Sequence, residues 1–95
     1  MLTFYCGAVE ADIIATMLRA HAGLPVHVRA ETVHGRDFTD AKVSEQVTGT
    51  LDRAAVDLVT PRHKADALIA AVGATRRAHA VRWVMTPVLA KGRLP

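Results

Sequence analysis

Residues 51–61 read Leu51-Asp52-Arg53-Ala54-Ala55-Val56-Asp57-Leu58-Val59-Thr60-Pro61. Ala54, Val56 and Leu58 recur at every second position, the period of a strand with one buried face. Thr60-Pro61 ends that strand and opens a helix, with Thr as N-cap and Pro at the first helical position. Ala65, Leu68, Ile69 and Val72 then recur at three- and four-residue steps as far as Gly73, the stripe of an amphipathic helix. A short basic connector holding Arg76 and Arg77 leads to Val81-Arg82-Trp83-Val84-Met85, a further strand bounded by Thr86-Pro87. Residues 51–85 therefore read as one strand–helix–strand unit.

The first half repeats that order. Leu2-Thr3-Phe4-Tyr5-Cys6 alternates in period two, and from Val9 the period lengthens. Val9, Ile13, Met17 and Ala20, with Ile14 and Leu18, form the expected apolar stripe of the first helix. Glu10 and Asp12 stand near its positive end and Arg19 and His21 near its negative end, as the macrodipole favours. Gly23 offers a left-handed C′ position and Pro25 blocks continuation. Val26 to Val33 alternates as a second strand. Between 34 and 50 periodicity is lost, and Asp37, Thr39, Asp40, Ser44, Thr48 and Gly49 gather in a connection long for a domain of this size.

Strand–helix–strand–strand–helix–strand is the α+β, ferredoxin-like βαββαβ order, with both helices on one sheet face and a long loop between strands 2 and 3. One domain, residues 1–95, is expected, because 95 residues and 10.2 kDa hold a single core. The chain is 51% apolar but only 4% aromatic, so that core is aliphatic, and a lone cysteine rules out an internal disulfide. A domain this small buries roughly 60–65% of its unfolded surface, and association is a common remedy. The uncovered sheet face, expected to carry Val33, Ala55, Val59 and Val81 or Met85, and the apolar tail 88–95 are the places where a second chain would pack.

Function classes narrow by absence. No run of about 18 apolar residues exists, so no direct membrane insertion is expected. No secretory leader is visible, and with the single Cys this points to the cytoplasm. Residues 1–47 hold four Lys/Arg against six Asp/Glu, and residues 48–95 eight against three, so the net +3 is concentrated in the second half. Without aromatic stacking platforms that basic half does not read as a nucleic-acid surface. A Walker-type Gly-rich loop and the paired thiols of a soft-metal chaperone are also missing.

What remains is a set of candidates. Arg76, Arg77, Arg82, Lys91 and Arg93 suit an anion pocket, since guanidinium groups grip phosphate in bidentate fashion; solvated positive charge is the plainer reading. Cys6, at the end of a strand, is either a small buried hydrophobe or a reactive or metal-binding thiol. His27, Arg29 and Glu31 share one strand face, as a solvated ladder or as ligands. His34, beside the loop, is a candidate metal ligand, whereas His63 reads as solvent-facing and His79 as a loop residue.

Four stretches together resemble the PII-like signalling proteins, over nearly the whole chain. The long connection from His34 to Thr50 stands where that superfamily has its T-loop, and Ser44-Glu45-Gln46-Val47-Thr48-Gly49 is similar to a loop exit of its small members. Ala54-Ala55-Val56-Asp57-Leu58-Val59-Thr60-Pro61, followed by Ala67-Leu68-Ile69, is similar to its third strand and second helix. Arg82-Trp83-Val84-Met85-Thr86-Pro87-Val88 resembles its last strand. The resemblance implies a non-enzymatic homotrimer with the open sheet faces at its centre. A small effector, a nucleotide or a divalent metal, would bind in clefts between subunits and reshape the 34–50 loop, which docks on a transporter or enzyme.

Carried onto this chain, Gly35 and Arg36 mark the loop exit and Gly49 its return. With Arg76, Arg77, Lys91 and Arg93 they form the candidate effector set, and Asp37, Phe38, Asp40, Lys42, Glu45 and Gln46 the candidate docking set. Two departures bear on the effector. Gly73 to Ala80 lacks the glycines of the superfamily's phosphate-holding B-loop, and the sole tyrosine, Tyr5, is not in the long loop, which leaves no modification site there. The shortened branches that this chain most resembles accompany heavy-metal efflux transporters, making such a transporter the implied partner. A CutA-like metal-binding trimer, using His34, His27, Glu31 and Cys6, is the alternative from the five histidines and the thiol, and a cleft enzyme using His and Asp is the third. No cofactor is required by any residue pattern.

Overall fold

A computed structural model describes residues 1–34, 50–75 and 79–95, with Thr50 and Leu51 as backbone alone. Its elements are β1 (Leu2–Gly7), a 3-10 turn (Ala8–Glu10), α1 (Ala11–Ala22), β2 (His27–His34), β3 (Thr50–Leu58), α2 (Arg62–Gly73) and β4 (Arg82–Met85). All neighbouring strands are antiparallel, in the order β2-β3-β1-β4. Each central strand thus lies between the two strands of the other βαβ unit, the split arrangement of a ferredoxin-like α+β fold.

Register sorts the side chains. Leu2, Phe4 and Cys6 on β1 stand opposite Leu58, Val56 and Ala54 on β3, and these six are buried beneath Ile14 and Leu18 of α1 and Leu68 and Val72 of α2. Both helices cover this one face. The chain turns out of α1 at Gly23, whose φ of 63° is left-handed and whose N–H donates to the Arg19 carbonyl at 3.0 Å.

Three local expectations need correction. The first helix buries Ala11, Ile14 and Leu18, while Val9 and Ile13 are 78% and 57% exposed and Ala20 is exposed too. Val9 belongs to the 3-10 turn, whose tighter winding shifts the phase of the stripe before the α-helical repeat begins. Pro61 is the N-cap of α2 rather than its first residue, because its ψ of 143° is extended, and Thr60 Oγ1 is buried with no hydrogen-bond partner among the described residues. Val81 and Met85 pack against the helix-side core.

The other sheet face is therefore more polar than expected. It carries Thr3 and Tyr5 of β1, Arg53, Ala55 and Asp57 of β3, His27, Arg29, Glu31 and Val33 of β2, and Arg82 and Val84 of β4. Ala55 has no exposed surface, and Asp57 is 5% exposed. Arg29 donates through Nη1 to Asp57 Oδ2, and its Nη2 lies 3.6 Å from Glu31 Oε1. Among the described residues no helix is long and apolar enough to cross a membrane.

Candidate functional site

Strand directions bring three connections to one end of the sheet. Gly7, the last residue of β1, pairs with Arg53, and β1 passes there into α1. β4 starts at the same end, after the α2–β4 connection. β2 and β3 run further: the ladder continues through Thr32↔Asp52 and Val33↔Leu51 to His34↔Thr50, three pairs past the end of β1. These pairs form a two-stranded ribbon reaching about 10 Å beyond the four-stranded body. The 35–49 connection starts and finishes at its tip.

Charged side chains collect at the base of that ribbon. Glu10, the N-cap residue of α1, is 7% exposed. A Cβ built on Gly7 would stand 3.9 Å from Glu10 Oε2 and 4.0 Å from His79 Cδ2, so the bare glycine backbone lies against both groups. Gly7 has no left-handed torsion, and those distances are ordinary contact. Arg53 adds a half-buried guanidinium from the strand beside it. Cys6 lies beneath this cluster, fully buried, with Sγ 3.7 Å from the Ala54 carbonyl. Burial pushes its thiol pKa up, nearby Glu10 raises it further, and Arg53 acts in the opposite direction. Cys6 is therefore a neutral packing thiol.

A carboxyl group at a helix N-terminus and an imidazole lie against a backbone without a side chain, with Arg53 as its cross-strand partner, at the mouth of a long connection. Glu10, Arg53 and His79 were not singled out as site residues by sequence reading. Glu10 reads as dipole complement and His79 as a loop residue; the register of β1 against β3 brings Arg53 to Gly7, and the pairing of β1 with β4 brings His79 there.

The residues that were singled out are scattered. Gly35, Arg36, Asp37, Phe38, Asp40, Lys42, Glu45, Gln46 and Gly49 of the loop, with Arg76 and Arg77, lie outside the described residues. Lys91 lines a groove of about 820 Å³ at the opposite end of the sheet, with Met1, Val59, Pro61, Met85 and Leu89, and Arg93 is exposed in the tail. The metal candidates are not brought together: Cys6 is under the helices, His27 and Glu31 are about 13 Å apart along the open face, and His34 is at the ribbon tip. Among the described residues no three His, Cys, Asp or Glu side chains come close enough to share a metal.

The family model described as "Protein of unknown function (DUF3240)" matches residues 7–95, all but the first six positions. The chain belongs to that family. The match takes in Gly7, Glu10, Arg53 and His79, together with both helices and the tail. No curated protein matches the chain. Membership brings no activity with it, so the function rests on the residues.

Proposed function

We propose that this family member is a non-enzymatic, PII-like regulator that binds a small effector at the Gly7–Glu10–Arg53–His79 end of the sheet and signals through residues 34–50. The observation that carries the reading is the ribbon. A two-stranded extension with a fifteen-residue connection at its tip is tied to the body by one strand pair on one side. Past the Gly7↔Arg53 pair the ribbon is paired, among the described residues, only between its own two strands, so a ligand at its base can bias the direction in which it leaves the sheet. The sequence resemblance to PII-like proteins supports the same assignment.

The effector is a nucleotide or a divalent metal, and the partner is a transporter of the metal-efflux kind or an enzyme. Lys91 and Arg93 lie at the end opposite Glu10 and His79, so within one chain they do not reach the site. In the proposed homotrimer they belong to clefts between subunits. The open face, with Asp57 Oδ1 buried and unpartnered among the described residues, would lie against the neighbouring copies.

Native mass is the first test: three copies of a 10.2 kDa chain sediment at about 31 kDa, and a monomer at all concentrations refutes the trimer. A panel of adenine nucleotides and of zinc, copper, nickel and cobalt, read by thermal shift, then finds the effector. At 100 times its dissociation constant an effector adds about 2.7 kcal/mol, and no shift with any member at millimolar concentration counts against the sensor reading.

A further inference from the structure

The tail past β4 alternates as a strand does, yet it pairs with no strand among the described residues of its own chain. Val88, Ala90, Gly92 and Leu94 fall on one side and Leu89, Lys91 and Arg93 on the other. One side is apolar and the other is largely basic. Thr86 is the last residue tied to the sheet, donating its N–H to the Met1 carbonyl at 2.9 Å and accepting from the Met1 amino group. Beyond it Leu89 is 99% and Leu94 93% exposed. Pro87 and Pro95 bracket seven residues that all keep a backbone N–H.

The opposite edge of the sheet lacks what this tail supplies. β2 is eight residues long and, among the described residues, has a strand, β3, on one side only. The helices bury side chains of β1 and β3, leaving Val28 48% exposed and Ala30 exposed on the helix-bearing side. On its other side Glu31 stands beside Arg29. A long edge with exposed apolar groups invites a further strand.

We propose that residues 88–94 of a second copy add to the outer edge of β2 as a fifth strand. Val88, Ala90 and Leu94 then cover Val28 and Ala30, while Lys91 and Arg93 meet Glu31. Main-chain bonds supply the affinity and the alternating side chains the register. The tail of the same chain is poorly placed for this. It leaves from β4, three strand spacings or about 14 Å from β2, and crossing that width consumes about five residues. Because the donor continues the β4 edge and the acceptor is the β2 edge, the contact is heterologous, and in the proposed trimer it closes into a ring. The proposal rests on the association of copies assumed above, and it specifies the contact that holds the ring.

Sedimentation of the full chain and of two variants tests it. Ala90→Pro removes an N–H and breaks strand pairing; the pair Lys91→Glu and Arg93→Glu reverses the charge facing Glu31. Both lie beyond the last sheet strand, so far-UV circular dichroism should keep the helix signal and lose no more than the strand signal of the tail itself. The expected result is an oligomer for the parent chain and at least a tenfold rise in its dissociation constant for each variant. Alternate amides within 88–94, those that face β2, should also be protected from hydrogen exchange in the parent oligomer. An oligomer that withstands both variants, with those amides exchanging freely, overturns the tail contact and leaves association standing. A parent chain that stays monomeric overturns both.

Discussion

Removing Arg29 while keeping Asp57 should be among the most damaging changes to the sheet. Asp57 stands on β3, between Thr3 of β1 and His27 of β2, with its side chain 7% exposed. Its Oδ2 accepts from Arg29 Nη1, and its Oδ1 already has no partner among the described residues. Arg29→Met therefore strands a buried carboxylate. Breaking a fully buried pair costs about 3–5 kcal/mol, but the Arg29 side chain is 49% exposed, so water partly replaces it. We expect about 2–3 kcal/mol, a fall in Tm of roughly 8–24 °C for a domain of this size.

The double variant Arg29→Met, Asp57→Asn removes the stranded charge with its partner and should recover at least half of that loss, a coupling of about 1–2 kcal/mol. Urea unfolding of the four species, followed by far-UV circular dichroism, measures it. Single losses that simply add, with a coupling below about 0.3 kcal/mol, would refute the idea that this pair determines the stability of the open face.

Other expectations are simpler to check. Gly7→Ala should leave stability level or raise it by up to about 1 kcal/mol, since its torsion suits alanine; Gly23→Ala should lower stability by about 1–2 kcal/mol, because φ of 63° is costly for a side chain. Ile13→Gln should lie within about 0.5 kcal/mol of the parent, whereas Ile14→Ala should cost about 2–5 kcal/mol, a contrast that thermal denaturation reads directly. Cys6 should resist thiol reagents in the native state and react on unfolding. Its raised pKa also sets a sign: above the ordinary value of 9.0 the unfolded chain loses the thiol proton first, so native stability falls as pH rises. The Cys6→Ala variant should lack that part of the fall.

The element order was legible because it depends on local periods. Ala54, Val56 and Leu58 face the core as their spacing requires, and Gly23 takes the left-handed cap that its place after the helix implies. Phase was less legible. Val9 and Ile13 fit a 3.6-residue stripe on paper, but the 3-10 turn at Ala8–Glu10 starts the winding late and moves the buried line to Ala11, Ile14 and Leu18. Face assignments on β4 failed because a four-residue strand carries too little pattern, so Met85 went to the wrong side. The candidate site was the least legible. Glu10, Arg53 and His79 are far apart in sequence and become neighbours only through cross-strand register, which no local pattern encodes. Arg29 and Asp57 likewise look like surface charges until β2 and β3 are aligned.

An effector bound at the base of the ribbon should be felt along it. Heteronuclear spectra of the isotope-labelled chain, recorded while adenine nucleotides and divalent metals are titrated in, address this directly. Saturable shifts of the Gly7, Glu10, Arg53 and His79 signals are expected, with those of residues 34–50 moving at the same midpoint. Shifts confined to the Met1–Thr86 end of the sheet, or no shift with any of these ligands at millimolar concentration, would contradict it.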